Sequence, residues 1–242
     1  MSQKTADKIK TIDPAVEMML AQAEAENIST VFSRVAAMAP CPIGEDGRCC
    51  KNCHMGPCRL VKEGQRGVCG ATLETVAARN LARAIAAGAS AHSDHGLDMA
   101  FTLQAVAKGE APGYKVTDVA KLRNVARTMG IPLDGQSVNE LALAVAERAI
   151  GNFAQMRGEL TYVSRAPAKR QEIWRKLGIA PRSVTREIVE TLHRTHMGTD
   201  QDPEHILRHA LCTALSDGWG GSMLATGLSD ILFSVACYQT AA

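Results

Sequence analysis

Six cysteines fall within the 29 positions from Cys41 to Cys69: Cys41, Cys49, Cys50, Cys53, Cys58 and Cys69. Cys212 and Cys237 lie far downstream. The same stretch is rich in proline and glycine (Pro40, Pro42, Pro57, Gly44, Gly47, Gly56, Gly64, Gly67) and has little hydrophobic periodicity. A loop this long inside a compact domain needs a source of order other than an apolar core. Thiols supply it either as metal ligands or as disulfides.

Other features of the chain favour the metal. A chain of 242 residues, 46% hydrophobic, can bury a core without covalent staples. The N-terminal MSQKTADKIKTIDPAVEMML has no apolar run followed by a small-residue cleavage site, so it is not a secretory leader. No stretch approaches 18 consecutive apolar residues, and no membrane span is expected. The expected location is cytoplasmic, where thiols stay reduced and a cysteine cluster reads as metal-binding or catalytic. The net charge of +2 and the 4% of aromatic residues argue against a nucleic-acid surface.

The rest of the chain reads as helix. Asp13 and Pro14 open a first helix that runs to Ala25, and Ser29 can cap a second over Val31 to Met38. The alanine-rich run from Ala71 is interrupted only by Gly88 and Gly96 and reads as two helices meeting near Gly88. Further helices are expected over Val116–Met129, Ser137–Ile150, Ala168–Leu177, Val184–His196, Pro203–Leu215 and Ser222–Cys237, with GWGGS (218–222) as a tight turn. No strand is evident. The expected fold is all-α: a helical bundle with an irregular cysteine loop, organised as helices over 1–39, the loop over 40–70 and a helical domain over 71–242.

The thiol spacing is Cys41-x7-Cys49, then Cys50-x2-Cys53-x4-Cys58-x10-Cys69. Structural zinc usually draws on two CxxC-like pairs, whereas iron–sulfur ligation tolerates uneven gaps. Zinc stays open on spacing alone. Adjacent side chains such as Cys49 and Cys50 point apart, which divides the six into two sets. Cys50, Cys53, Cys58 and Cys69 suffice for one cubane. Cys41 and Cys49 are two thiols short of another, and a second copy related by a two-fold axis would supply the missing pair. The count alone points to a homodimer bridged by a metal centre.

The segment CPIGEDGRCCKNCHMGPCR followed by GVCGAT closely resembles the N-terminal region of the catalytic subunits of anaerobic nickel–iron carbon monoxide dehydrogenases. The likeness continues through ARNLARAIAAGASAHSDHG and LSDGWGGSMLAT. It implies that Cys41 and Cys49 hold a D-cluster shared across the dimer, [4Fe–4S] or [2Fe–2S], and that Cys50, Cys53, Cys58 and Cys69 hold a [4Fe–4S] B-cluster. It implies the oxidation of CO with water to CO2 at a nickel–iron–sulfur C-cluster, whose ligands lie in downstream α/β domains that this chain lacks. The 242 residues alone are therefore expected to be inactive. Within a full-length protein their role would be electron transfer toward a ferredoxin-like acceptor. A nickel-insertion ATPase and acetyl-CoA synthase are the other implied partners. The rival readings are a hybrid-cluster-type or CO-inactive redox relative, and a stand-alone iron–sulfur dimerisation or electron-transfer module.

His92 and His95, three apart in AHSDHG, share one helical face. From the residues alone they read as a solvated or capping pair. The resemblance implies the start of a proton relay, since family members carry a histidine ladder at this spacing. The next rungs here are Asp98 and Phe101, and Phe101 carries no proton. His193 with His196, and His205 with His209, read as surface or helix-end residues without a third ligand nearby. His54 is the expected hydrogen-bond donor to a cluster sulfur, Lys51 and Arg59 flank the thiols as possible charge balance, and Cys212 reads as a packed core residue.

Overall fold

The computed structural model describes residues 10–39 and 41–234. Cys237 and the end of the last expected helix lie outside them. The architecture is an all-α bundle with an irregular cysteine segment near its N-terminal end, as the sequence implies. Ten helices are described: α1 (Pro14–Ala25), α2 (Val31–Ala37), α3 (Pro42–Glu45), α4 (Leu73–Lys108), α5 (Val119–Thr128), α6 (Val138–Ala154), α7 (Ala168–Lys176), α8 (Val184–Arg194), α9 (Pro203–Ser216) and α10 (Met223–Phe233). A 3₁₀ turn spans Thr161–Arg165. Two two-residue strands, β1 (Cys49–Cys50) and β2 (Cys58–Arg59), pair antiparallel inside the cysteine segment, where the sequence predicts loop alone.

Polar caps set most boundaries. The side chains of Asp13, Asp118, Ser137, Ser183 and Asp202 each accept a hydrogen bond from a backbone N–H in the first turn of the following helix. For α2 the cap is Thr30 and not Ser29, because Thr30 forms a reciprocal box with Ser33.

α4 is a single helix of 36 residues, about 54 Å long at 1.5 Å per residue, and does not break near Gly88. A glycine costs a helix roughly 1 kcal/mol of propensity but does not end it, and no atom crowds Gly88. Gly96 is there for packing. A Cβ on it would lie 2.4 Å from Cζ of the buried Phe153, so only hydrogen fits between α4 and α6. α4 stops at Gly109, whose φ of +75° suits a residue without a Cβ.

The core forms around α4, which packs against α6, α8, α9 and α10. Its inward stripe runs Thr75, Arg79, Ala82, Ala86, Ala89, Ser93, Gly96, Ala100 and Leu103, at alternating spacings of four and three. The small side chains let neighbouring helices approach closely. Leu122, Val145, Phe153, Leu224, Leu228 and Ile231 fill the space beyond them. The GWGGS segment is not a tight turn. Residues Asp217–Ser222 form a π-helical stretch that carries α9 into α10 without a break. α1 and α2 bury no residue and expose Met18, Met19, Val31 and Val35, with Met38 exposed just beyond α2.

Candidate metal centre

The β1–β2 ladder sorts the thiols. Its register sets Cys50 opposite Cys58 and Cys49 opposite Arg59. Directly opposed residues share a face and neighbours along a strand alternate, so Cys50 and Cys58 look one way and Cys49 the other. Cys50, Cys53, Cys58 and Cys69 line one pocket together with Asn52 and Arg79. Cys41 and Cys49 lie outside it. All six thiols are free of disulfides.

Backbone and glycine geometry shape this pocket. The Val68 N–H donates to Cys58 Sγ at 3.4 Å. A side chain at Gly56 would place its Cβ 2.9 Å from the Cys58 backbone nitrogen, so the chain can turn there only around glycine. A small apolar floor of Leu60, Ala71 and Val76 supports the thiols from below. Burial alone would raise the Cys69 thiol, but hydrogen bonds from the Ala71 backbone and from Arg79 and Gln201 bring it down to about 7. The exposed Cys41 sits at the N-cap of α3, and the backbone N–H groups of Gly44 and Ile43 lower its pKa, with smaller help from the charges of Arg59 and Lys51. Both thiols are thereby moved toward the thiolate, the form that binds metal.

α4 ties the segment to the bundle. Asn80 Nδ2 donates to the carbonyls of Gly47 and Cys49 at 3.1 and 3.2 Å. Arg79, 1% exposed, donates from Nη1 to Cys69 Sγ at 3.6 Å and from Nη2 to the Asp200 carbonyl at 2.6 Å. Gln201 Nε2 donates to the Cys69 carbonyl at 2.9 Å. Among the described residues, two buried side-chain polar atoms lack a partner, Asn52 Nδ2 and Arg79 Nε, and both residues line the thiol pocket. His54, the donor expected from sequence, is exposed and is not among the pocket's lining residues.

The histidine pair lies further along the same helix. His92 is thirteen residues beyond Arg79, about 20 Å at the helical rise. His92 Nδ1 donates to Asp217 Oδ1 at 2.7 Å, and Ser222 Oγ also donates to Asp217 Oδ1 at 3.2 Å. A carboxylate only accepts, which puts the proton on Nδ1 and leaves Nε2 of the neutral ring as an acceptor. The π-helical stretch supplies both Asp217 and Ser222, and such bulges often mark functional sites. His95 and Asp98 are exposed one and two turns on. Among the described residues the partners of His92 are Asp217 and Ser222, not His95.

The sequence reads His209 as a surface or helix-end residue without a third ligand nearby, and the structure corrects this. His209 is buried, and its ring, Cys212 Sγ and a Glu187 carboxylate oxygen lie within 4.8 Å of one another. Cys212 is buried as expected, and burial pushes its thiol up. These groups are already engaged. Arg182 grips both Glu187 oxygens at 2.9 and 2.7 Å, and His209 Nε2 donates to the Glu187 carbonyl at 3.2 Å. The cluster is an internal ion-pair network that extends through Glu190 and Arg194 to Asp200, whose carbonyl holds Arg79.

An all-helical domain that converges four thiols on one pocket, with two further thiols set apart, has the donor set of a thiolate-ligated metalloprotein. The Prismane/CO dehydrogenase family profile matches residues 48–240, and the chain belongs to that family. It is 49% identical to carbon monoxide dehydrogenase 1 of Methanosarcina mazei over 93% of this chain and 36% of that protein. It is 40% identical to the beta subunit of the carbon monoxide dehydrogenase/acetyl-CoA synthase of Moorella thermoacetica, over 96% of this chain and 35% of that protein. The fold is also similar to a nickel-free carbon monoxide dehydrogenase from Thermococcus sp. AM4 produced without CooC maturase, with a TM-score of 0.82 and 44% identity over 94% of this chain and 38% of that one. The chain thus spans about a third of the length of the relatives it matches. Among the described residues, no helix is long and apolar enough to cross a membrane.

Proposed function

We propose that this chain is the N-terminal, cluster-bearing part of an anaerobic carbon monoxide dehydrogenase and serves its electron transfer and dimerisation. The observation that carries the reading is the division of the thiols: Cys50, Cys53, Cys58 and Cys69 share a pocket from which Cys41 and Cys49 are absent. The four-thiol pocket fits a [4Fe–4S] B-cluster, since thiolate donors, a backbone N–H aimed at Cys58 Sγ and two unpartnered buried N–H groups all face it. Such a cluster supplies one-electron transfer when bound.

Cys41 and Cys49 form half a ligand set, and a second copy of the chain completes it as a D-cluster on the dimer axis. The apolar side chains that α1 and α2 expose lie just before Cys41 in the chain and suit burial in such an interface. The D-cluster, exposed through Cys41, is the exit to a ferredoxin-like acceptor. The nickel-bearing C-cluster, with the chemistry of CO and water, belongs to the rest of the full-length protein. A nickel-insertion ATPase and acetyl-CoA synthase are its further partners.

Anaerobic metal analysis tests the division. One whole cubane and half of another predict about six irons per chain. Changing Cys53 to alanine is expected to remove about four, and changing Cys41 to remove about two together with the dimer. Zinc in place of iron, or equal losses from both variants, would overturn the reading.

His92 and His95 serve as a short proton relay in the same proposal, with Asp217 fixing the ring of His92 so that Nε2 accepts a proton. Histidine suits the task because its charge changes near neutral pH. In the full-length enzyme, His92→Ala is expected to lower turnover by about 100-fold, the usual scale for a lost acid–base group, and to change the shape of the pH–rate profile. An unchanged pH–rate profile would remove His92 from the path.

A further inference from the structure

Arg79 carries a full charge at 1% exposure, and among the described residues no carboxylate pairs with it. Burying a charge is costly unless an opposite charge and complete hydrogen bonding compensate it. Its Nη2 is held by the Asp200 carbonyl and its Nη1 reaches Cys69 Sγ, but Nε has no partner. Asn52 repeats the pattern, with Nδ2 buried and unpartnered. These two residues come from different parts of the chain, one beside the CxxC and one in the second turn of α4, and they meet at the same pocket. Two orphan donors, one of them cationic, on a cavity walled by four thiols imply an anionic acceptor in that cavity.

We infer that Arg79 and Asn52 are the hydrogen-bond donors to the sulfurs of the cluster held by Cys50, Cys53, Cys58 and Cys69, and that Arg79 sets its reduction potential. This rests on the proposed cluster assignment. A four-thiolate [4Fe–4S] cluster carries a net charge of about −2 when oxidised and gains another negative charge on reduction. A fixed guanidinium and an N–H donor favour the more negative state, so they raise the potential. Arginine is suited to this because it stays protonated where a lysine would lose its proton on burial. Asn52 contributes direction without charge, and its effect is the smaller of the two. The Asp200 carbonyl fixes where the guanidinium points, which makes the ion-pair network that ends at Asp200 a support for the cluster's electronics.

The test is an EPR-monitored redox titration of the iron-loaded dimer, with iron and sulfide measured on each sample. Arg79→Gln is expected to lower the potential of the cubane by a tenfold change in its reduction equilibrium, about 59 mV for one electron. Arg79→Lys should fall between it and the native chain, and Asn52→Ala should shift less than Arg79→Gln. A native chain that binds no iron would sink the cluster assignment itself. Normal iron content with an unmoved potential in Arg79→Gln would sink this inference alone. Should Arg79→Gln fail to assemble, the native protein decides: with 15N-arginine, pulsed EPR should detect a nitrogen coupling to the reduced cluster, and its absence would overturn the inference.

Discussion

Replacing Arg182 with alanine is expected to destabilise the helical body by about 3–5 kcal/mol, the usual cost of removing one partner from a buried ion pair. Glu187 has no exposed side-chain area and receives three hydrogen bonds from Arg182: one from the backbone N–H and two from the guanidinium. The same guanidinium reaches Glu190 at 2.6 Å. Without it, two carboxylates one helical turn apart on α8 lie close together: Glu190 keeps Arg186 and Arg194, but the buried Glu187 is left with His209 of α9 as its neighbour able to bear an opposing charge. In a chain of this size about 3–5 kcal/mol corresponds to a fall in melting temperature of roughly 10 °C. An Arg182→Met, Glu187→Leu double variant should recover much of the loss, since paired apolar replacements of buried ion pairs are often neutral. A single-variant loss below about 1 kcal/mol would show that the network is too solvated to matter.

The acid response follows from the same groups. Burial would raise Glu187 and Glu190, but the hydrogen bonds from Arg182, joined at Glu190 by Arg194, outweigh it. Glu187 is lowered and Glu190 is held at about 2. A carboxylate with a depressed folded-state pKa contributes stability that is present above its unfolded value and is lost as pH falls through its folded value. Burial also lowers His209, so its contribution begins to fade once the unfolded histidine protonates, near 6.5. The native chain should therefore lose stability in two stages on acidification, the second between about 4.5 and about 2. In Arg182→Ala the second stage should shrink, because Glu187 has lost its arginine and Glu190 one of its three. Denaturant midpoints measured across that range check it.

The thiol division was legible because it depends on counting and on the outward alternation of neighbours, and the β1–β2 register is that alternation in place. The helices were legible at their caps. The failures share a physical cause: they concern what a residue meets across the bundle. Gly88 and Gly96 look alike in sequence, yet one faces open space and the other Phe153. His205 and His209 share a helical face, but His209 alone lies over Glu187, which comes from another helix. Arg79 left a readable trace. It falls in the four–three stripe of Thr75, Ala82, Ala86 and Ala89, where every other residue is small and uncharged. A lone arginine on an alanine face implies a buried anion, and only the fold shows that the thiol pocket is where it points.

Stripping iron from the assembled protein is expected to melt the cysteine segment and leave the bundle standing. Between Cys41 and Gly70 the chain has one four-residue helix, a ladder of two residue pairs and few other backbone hydrogen bonds. Its apolar support is Leu60 and Ala71, with Val76 from the following helix. That is far too little burial to offset an ordering cost of about 1–2 kcal/mol per residue, so binding free energy at the thiols must serve as folding free energy. Removal also strands Arg79 beside four thiols that repel one another once ionised. The helices α4, α5, α6, α8 and α10 draw on a separate core around Leu103, Leu122, Phe153 and Leu228. Hydrogen exchange should therefore rise by about 100-fold or more over residues 49–69 after anaerobic chelation, as a locally unfolded unit requires. Exchange at Leu103 and Leu122 should stay slow and helical circular dichroism nearly constant, while the proposed dimer dissociates. Full protection of residues 49–69 in iron-free protein would mean that the segment folds on protein contacts alone, and the metal would then be a passenger in a preformed site.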